Sequence, residues 1–248
     1  MKTLATDLDG TLYLDSTIIE GVKSAYDLLV NNNFYIYHTT NNSSQSTEVL
    51  SKKLSVMLDK DIEIASVVTP LVVLNEFLKD KNLTIFVYGS DQIKNYISNI
   101  SDTVSDPEKS DLIIIGRVET PSEDDLNKIS EIIKSGVNGA TLNKDLTYPI
   151  SSTEFKPGNG QIAKYVETLS GKELNSFGKE GNLYSQYFVD NNIQLDYVIG
   201  DRVDTDIIFG KNVNAETILV KSSINNHMST TLADKIFINF PEFVSSII

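Results

Sequence analysis

The sequence predicts an α/β protein in which helices cover a mostly parallel sheet. Two observations favour this fold class. Short apolar runs rich in β-branched residues alternate with amphipathic segments along the whole chain, which is typical of parallel strands joined by helical crossovers. The chain is also long enough, at 248 residues, for one sizeable core or for a core with a smaller second module.

The predicted elements follow one another in a regular order. Strands are predicted at residues 4–6, 34–39, 85–88, 112–115, 140–142, 197–199, 217–220 and 236–238. Between them, apolar residues recur at helical spacing, as at Val22, Ala25, Tyr26 and Leu29. Three helices have a predicted start: Ser43 or Ser44 as a cap, then Thr69 before Pro70, then Ser122.

Composition narrows the classes of function. The formal net charge is −13 and the pI is about 4.6, which argues against a nucleic-acid or anionic-membrane partner because both require clustered Lys and Arg. The lack of cysteine excludes thiolate catalysis and Cys-based zinc sites. No apolar run reaches the ~20 residues that span a bilayer, so we expect a cytoplasmic protein. His38 and His227 are too few for a metal cluster and are expected to be structural.

The strongest chemical signal is Asp-Leu-Asp-Gly-Thr at residues 7–11, directly after the first predicted strand. Alternation along a strand places Asp7 and Asp9 on one face at its carboxyl end, where open parallel sheets bind ligands. Gly10 allows the chain to turn there. One carboxylate of such a pair can attack phosphorus while the other carries the leaving-group proton. The alternative, a solvated turn, is disfavoured by the preceding strand.

Two weaker signals lie further along the chain. Residues 40–44 read Thr-Asn-Asn-Ser-Ser and follow the second strand. A hydroxyl with free N–H groups at a helix N-terminus would form a phosphate cradle there, whereas an ordinary polar cap is the alternative. Lys179 follows Gly178 near a predicted strand end. Taken alone it is a solvated surface charge, but near the site it could contact a phosphoryl oxygen.

Three aspartates crowd the end of the strand predicted at residues 197–199, namely Asp201, Asp204 and Asp206. Such carboxylates repel one another unless a cation lies among them. Magnesium prefers oxygen ligands and commonly combines one or two carboxylates with the substrate phosphate. The alternative is a group of acids at a helix N-terminus, which the helix dipole favours. Arg202, inside this loop, is expected to pair with a carboxylate.

These four segments, in this order, resemble the motifs of the haloacid dehalogenase superfamily, and the chain looks most like its NagD or p-nitrophenyl phosphatase branch. The resemblance extends over nearly the whole chain, and residues 143–145, Pro149 and residues 157–160 look like landmarks of the branch's cap. It implies a doubly wound, Rossmann-like core at residues 1–81 and 174–248 with a smaller α/β cap inserted at residues 82–173.

The resemblance also implies the chemistry. The chain would be a phosphoric monoester hydrolase in which Asp7 becomes phosphorylated and Asp9 acts as acid and then base. Thr40 and Lys179 would bind the phosphoryl group, and Lys179 would also orient Asp7. The cofactor would be Mg²⁺, held by Asp7, Asp201 and the backbone carbonyl of Asp9, with Asp206 in support. Further phosphate or substrate contacts are expected from Gly10, Asn41, Asn42, Asn143 and Asp145.

The expected partner is a small phosphorylated metabolite such as a sugar, nucleotide or glycolate phosphate, and the resemblance also allows a homodimer. Two alternatives stay open: a phosphomutase that uses the same phospho-aspartate, and a non-catalytic regulatory protein on this scaffold. The chain departs from the family pattern at two places. Glu180 replaces the usual proline after the lysine, and Arg117 begins a replaced stretch in the cap. The sequence assigns neither residue a role.

Overall fold

The computed structural model describes residues 1–149, 154–221 and 232–248. Within these ranges the strands are β1 (Lys2–Asp7), β2 (Tyr13–Leu14), β3 (Thr17–Ile18), β4 (Phe34–Thr39), β5 (Val67–Val68), β6 (Ile85–Tyr88), β7 (Leu112–Ile115), β8 (Asn138–Thr141), β9 (Thr147–Pro149), β10 (Phe155–Pro157), β11 (Asn175–Ser176), β12 (Tyr197–Gly200), β13 (Glu216–Val220) and β14 (Lys235–Phe237). The helices are α1 (Val22–Asn31), α2 (Thr47–Leu58), α3 (Pro70–Leu78), α4 (Asp91–Ser98), α5 (Glu123–Ser135), α6 (Asn159–Ser170), α7 (Asn182–Asp190), α8 (Ile208–Asn212) and α9 (Phe240–Ile247). A wide π-helical turn, Val203–Ile207, runs into α8.

The larger sheet is parallel, with the strand order β14-β13-β12-β1-β4-β5. Strand β1 lies between β12 and β4, so that Thr6 is opposite both Ile199 and His38. The chain leaves β1 on the β4 side and later returns on the β12 side. Such a reversal of strand order opens a crevice at the carboxyl ends of the strands.

Apolar side chains cover both faces of this sheet. Helices α1, α2 and α9 pack on one face, and α3, α7 and α8 pack on the other. In α1 the buried residues are Val22, Ala25, Tyr26 and Leu29, which is the helical spacing that the sequence predicts. The prediction of an α/β protein with a doubly wound, mostly parallel sheet is confirmed.

Capping side chains mark the start of helices α2, α3 and α5. The hydroxyls of Thr69 and Ser122 accept hydrogen bonds from backbone N–H groups three residues later, as predicted. The prediction for α2 is wrong, because Ser46 rather than Ser43 or Ser44 caps that helix. Ser43, Ser44 and Ser46 all have a hydroxyl that could accept a hydrogen bond from a nearby backbone N–H. The path of the loop determines that Ser46 is the one that caps the helix. Residues 40–44 therefore form a loop, and they do not lie at a helix N-terminus.

A smaller parallel sheet, with the order β11-β8-β7-β6, is formed by the middle of the chain. Helices α5 and α6 pack on one of its faces, while residues of its other face share an apolar cluster with α3 and α7. We propose that residues 82–173 form a cap on a core made of residues 1–81 and 174–248. Strand β11 lies just past that boundary and pairs with β8.

His38 is buried within β4, where its ring nitrogens hydrogen-bond with Tyr26 Oη at 3.2 Å and Ser66 Oγ at 3.0 Å. Burial lowers the pKa of His38 to about 4, so the ring is neutral and serves packing, as expected of a structural residue. His227 lies outside the described residues. In the ranges that the structure describes, every helix is too short or too polar to cross a bilayer.

Candidate active site

Four segments bring functional side chains to the carboxyl edge of the larger sheet. Asp7 ends β1, Thr40 follows β4, Asp201 follows β12, and Lys179 comes from the loop after β11. All four line one cavity of about 1080 Å³. Residues that lie up to 194 positions apart in the sequence thus converge, because the ends of neighbouring parallel strands meet at one edge of the sheet.

Asp7, Asp201 and Asp206 form a buried acidic triad in which one carboxylate oxygen of each residue lies within 4.8 Å of the others. Their exposed fractions are 8%, 2% and 1%. Burial raises the pKa of Asp7 well above its usual value; Lys179 opposes that shift, while Asp206 and Asp201 add to it. Within the described part of the chain, Asp7 Oδ2 has no hydrogen-bond partner. Three converging carboxylates with a buried, unsatisfied oxygen fit a hard divalent cation such as Mg²⁺.

Lys179 bridges two members of the triad. Its Nζ donates to Asp7 Oδ1 at 2.5 Å and to Asp206 Oδ1 at 2.7 Å, and the lysine side chain is 2% exposed. Burial by itself lowers the pKa of Lys179, but the carboxylates of Asp206 and Asp7 outweigh it and hold the pKa above its ordinary value. Lys179 is therefore a fixed buried cation, so its interpretation as a solvated surface charge is excluded.

Asp9 lies in the turn after β1, because the strand ends at Asp7. Its Oδ2 accepts a hydrogen bond from Tyr13 Oη at 3.2 Å, and burial raises the pKa of Asp9 above its usual value. Gly10 has a φ of +92°, and a Cβ at this position would overlap the carboxylate of Asp201. Only glycine lets this turn lie directly against the triad.

The loop at residues 40–44 is held by its own side chains. Thr40 is buried, and its Oγ1 accepts from the N–H of Asn42 at 3.1 Å. Asn41 Oδ1 accepts from the backbone N–H of Lys179 at 2.8 Å, which ties the loop to the lysine. Thr40, Asn41 and Asn42 all line the cavity. The loop therefore reaches the predicted place, although without the helix N-terminus that the sequence suggests.

The loop after β8 reaches the same cavity from the smaller sheet. Asn143 Nδ2 donates to the carbonyl of Asn41 at 2.9 Å. Asp145 pairs with Arg202 Nη1 at 3.2 Å, and burial raises the pKa of Asp145 to about 6 although Arg202 opposes the shift. Arg202 also donates to both carboxylate oxygens of Asp204, at 3.0 and 2.7 Å. Of the three aspartates that crowd this loop, Asp204 therefore pairs with Arg202 and lies outside the triad. The expected pairing of Arg202 with a carboxylate is confirmed.

Sequence reasoning missed the contacts of Glu180. Its Oε1 accepts from the backbone N–H of Lys144 at 2.6 Å and from Ser176 Oγ at 2.5 Å. Its Oε2 accepts from Asn41 Nδ2 at 3.0 Å. One carboxylate thus joins the loop after β4, the loop after β8 and strand β11. The signal in the sequence was the departure from the usual proline, which gave no indication of these partners.

Two family models match the chain. The model of haloacid dehalogenase-like hydrolases matches residues 4–101, and a HAD-hydrolase-like model matches residues 190–239. The matched residues include every member of the acidic triad. The chain belongs to the haloacid dehalogenase-like hydrolases. The superfamily predicted from the four motifs is thereby confirmed.

This hydrolase is similar to the acid sugar phosphatase of Staphylococcus haemolyticus, with 29% identity over 180 residues that cover 72% of this chain and 68% of that protein. The p-nitrophenyl phosphatase from Archaeoglobus fulgidus superposes with a TM-score of 0.85 at 20% identity, over 99% of both chains. The 4-nitrophenylphosphatase from Thermotoga maritima gives 0.84 at 24% identity, over 100% of this chain and 98% of that one.

A glycerol phosphate phosphatase from Mycobacterium tuberculosis, solved in complex with magnesium, gives a TM-score of 0.81 at 21% identity. The match covers 97% of this chain and 76% of that one. These solved structures share the fold of this hydrolase across both of its sheets. The fold is therefore that of the NagD-like branch, as the motifs predict.

Proposed function

We propose that this hydrolase cleaves small phosphate monoesters with Mg²⁺, through a phosphorylated Asp7. The enzyme class, a phosphoric monoester hydrolase, follows from the family and from the relatives named as phosphatases. The finer proposal is carried by the buried triad and by Lys179, which bridges Asp7 and Asp206. Phosphoryl transfer depends mainly on positioning and on neutralising charge, and this sheet edge offers both.

The steps follow from the residues in the cavity. Asp7 attacks phosphorus, the P–O bond to the leaving group breaks, and Asp7 carries the phosphoryl group. Asp9 donates its proton to the departing oxygen; burial raises the pKa of Asp9 and so favours the protonated form that this step requires. Asp9 then takes a proton from the water that attacks the phosphoryl-Asp7, and free phosphate leaves. Throughout, Lys179 keeps the carboxylate of Asp7 in position.

Asp7, Asp201 and Asp206 would hold the Mg²⁺, together with the backbone carbonyl of Asp9. A cation bound there supplies charge neutralisation between the anionic nucleophile and the anionic phosphate, an effect of several kcal/mol. Thr40 and Lys179 bind phosphoryl oxygens, assisted by the backbone or side chains of Gly10, Asn41 and Asn42.

The leaving group extends toward the smaller sheet, where Asn143 and Asp145 line the cavity. These two residues contact the part of the substrate that differs from one ester to another, so they contribute to substrate selection. The substrate is a small phosphorylated metabolite.

Hydrolysis of p-nitrophenyl phosphate by the purified protein tests the proposal. We expect phosphate release with Mg²⁺, no release in excess EDTA, and recovery when Mg²⁺ is added back. Asp7→Asn should keep the circular dichroism spectrum of the wild type and lose turnover. Activity that persists in EDTA counts against the metal site, and turnover by pure Asp7→Asn protein contradicts the nucleophile. Transfer of the phosphoryl group to a sugar without free phosphate indicates a phosphomutase instead.

A further inference from the structure

Four basic side chains line the active-site cavity, beside six acidic ones. Three of the four are neutralised by carboxylates: Lys179 by Asp7 and Asp206, Arg202 by Asp145 and Asp204, and Lys144 by Glu167. The fourth is Arg117, one of only two arginines in the chain. Among the described residues Arg117 forms no ion pair, and residues 150–153 and 222–231, outside that description, include no Asp or Glu. Arg117 therefore brings an uncompensated positive charge to the cavity.

The guanidinium of Arg117 lies over the aromatic ring of Tyr148. Its central carbon lies 4.2 Å from the centroid of the Tyr148 ring, and both residues are half-buried. The carbonyl of Arg117 accepts a hydrogen bond from the backbone N–H of Ser90 at 3.0 Å, which fixes the loop after β7. Stacking covers the flat face of a guanidinium and leaves the N–H donors along its edge. Such a planar fork binds a carboxylate or a phosphate through paired hydrogen bonds.

A series of polar contacts connects this loop to the phosphate-binding residues. Asn159 Nδ2 donates to the carbonyl of Ile115, the last residue of β7, at 3.4 Å and to the carbonyl of Asn143 at 2.8 Å. Asn143 in turn donates to the Asn41 carbonyl. Arg117 comes two residues after Ile115, so it enters the cavity from the smaller sheet, whereas the acidic triad enters from the larger one. A leaving group that extends from phosphorus toward the smaller sheet approaches Arg117.

We propose that Arg117, stacked on Tyr148, binds a second anionic group on the leaving group of the substrate, either a carboxylate or a second phosphate. The substrate class is then the phosphate monoesters of hydroxy acids, or bisphosphates. An anionic leaving group is repelled by the acidic lining unless a cation is reserved for it, while a neutral alcohol gains little from such a cation. The inference rests on the proposed phosphatase activity, whose substrate class it narrows.

The test compares three esters that share a glycerol-like skeleton and differ only in the end group opposite the scissile phosphate. They are 3-phosphoglycerate with a carboxylate, glycerol 1,3-bisphosphate with a phosphate, and glycerol 3-phosphate with a neutral CH₂OH. For wild type we expect kcat/KM for at least one anionic ester to exceed that for glycerol 3-phosphate by ~10- to 100-fold, the usual effect of charge-assisted hydrogen bonds. Which anionic ester is preferred distinguishes a carboxylate from a phosphate.

Arg117→Gln should reduce this ratio to about 1, and Arg117→Lys should keep part of it, because an ammonium supplies charge without the planar fork. Lys164→Gln removes an exposed charge on α6 outside the cavity and should keep the wild-type ratio. The inference is overturned if wild type prefers neither anionic ester, or if Arg117→Gln leaves the ratio unchanged.

A binding measurement separates this inference from the proposed hydrolysis. If wild type releases phosphate neither from these three esters nor from p-nitrophenyl phosphate, the proposed function is contradicted. In that case the rise in Tm caused by each anionic ester still tests Arg117. A larger rise in wild type than in Arg117→Gln supports the subsite, and equal rises overturn it.

Discussion

Replacing Lys179 with methionine removes the only side-chain cation that bridges the acidic triad within the described residues, while keeping a side chain of similar length. The lysine Nζ lies 2.5 Å from Asp7 Oδ1 and 2.7 Å from Asp206 Oδ1. At an effective dielectric constant of ~20, each pairing is worth about 6 kcal/mol of Coulomb energy. Most of that energy offsets the cost of burying the charges, and removal of one partner from such a network typically costs about 3–5 kcal/mol. We expect Lys179→Met to lower the free energy of unfolding by this amount in EDTA at pH 8.

Urea denaturation followed by circular dichroism measures the loss. Burial already raises the pKa of Asp7, and removal of the lysine raises it further. A carboxyl with a raised pKa in the folded state contributes stability at low pH that is lost as the pH rises through that pKa. The loss should therefore be smaller at pH 5 than at pH 8, and Mg²⁺ should recover part of it at pH 8.

The matched control for this variant is Lys164→Met on the exposed face of α6, which should stay within about 0.5 kcal/mol of wild type. A loss below about 1 kcal/mol for Lys179→Met in EDTA at pH 8 would refute the conclusion that this lysine balances the charge of the triad.

Three further predictions concern residues around the triad and in the core. In Gly10→Ala, the new Cβ overlaps the carboxylate of Asp201. We expect kcat for p-nitrophenyl phosphate to fall at least ~10-fold, which corresponds to a loss of ~1.4 kcal/mol or more of transition-state stabilisation. Glu180→Ala removes the acceptor of three hydrogen bonds, so kcat/KM should fall ~10- to 100-fold in steady-state assays, and Glu180→Gln should fall less. His38 has a pKa of about 4 in the folded state, so its contribution to stability is complete above about pH 6.5 and is lost as the pH falls. Urea denaturation should therefore show that wild type loses about 2 kcal/mol of stability through this residue between pH 7 and pH 5. His38→Gln should not show this loss.

Each of these predictions has its own contradicting result. Gly136 also has a positive φ, +124°, but a Cβ there meets nothing within 4 Å, so Gly136→Ala reports backbone strain alone. Equal kcat for Gly10→Ala and Gly136→Ala would contradict the proposed overlap with Asp201. Unchanged kcat/KM for Glu180→Ala would contradict its positioning role. An identical dependence of stability on pH in wild type and His38→Gln would contradict the burial argument.

Much of the site could be predicted because its positions depend on general properties of parallel sheets. Asp7 and Asp201 each follow a short apolar run, and such runs become adjacent buried strands whose carboxyl ends meet. Lys179 follows a glycine beside another strand, and the order of the motifs placed it near the same edge. The alternating pattern of the sequence indicates a parallel sheet, and the resemblance to the family implies which strand ends meet. The order of the strands itself is seen only in the structure.

Other features depend on tertiary contacts that no local pattern indicates. Asp204 and Asp206 are two residues apart and chemically equivalent in the sequence, but the turn at Val203–Ile207 directs Asp206 into the triad and leaves Asp204 to Arg202. The partners of Glu180 and Arg117, among them Lys144 and Tyr148, come from loops whose positions are set by packing of the smaller sheet. Sequence reasoning could mark Glu180 and Arg117 as unusual, but it could not find their partners.

The central claim is that the carboxylate of Asp7 becomes phosphorylated during turnover. A quench experiment tests this directly. The enzyme is mixed with p-nitrophenyl phosphate and Mg²⁺, the reaction is quenched with acid within the first turnover, and the peptides are sequenced by mass spectrometry. We expect a hydroxylamine-sensitive phosphoryl group on the peptide that contains Asp7, and none in Asp7→Asn. A phosphoryl group trapped on a different residue, or an equal yield of phosphorylated protein from Asp7→Asn, would contradict the account.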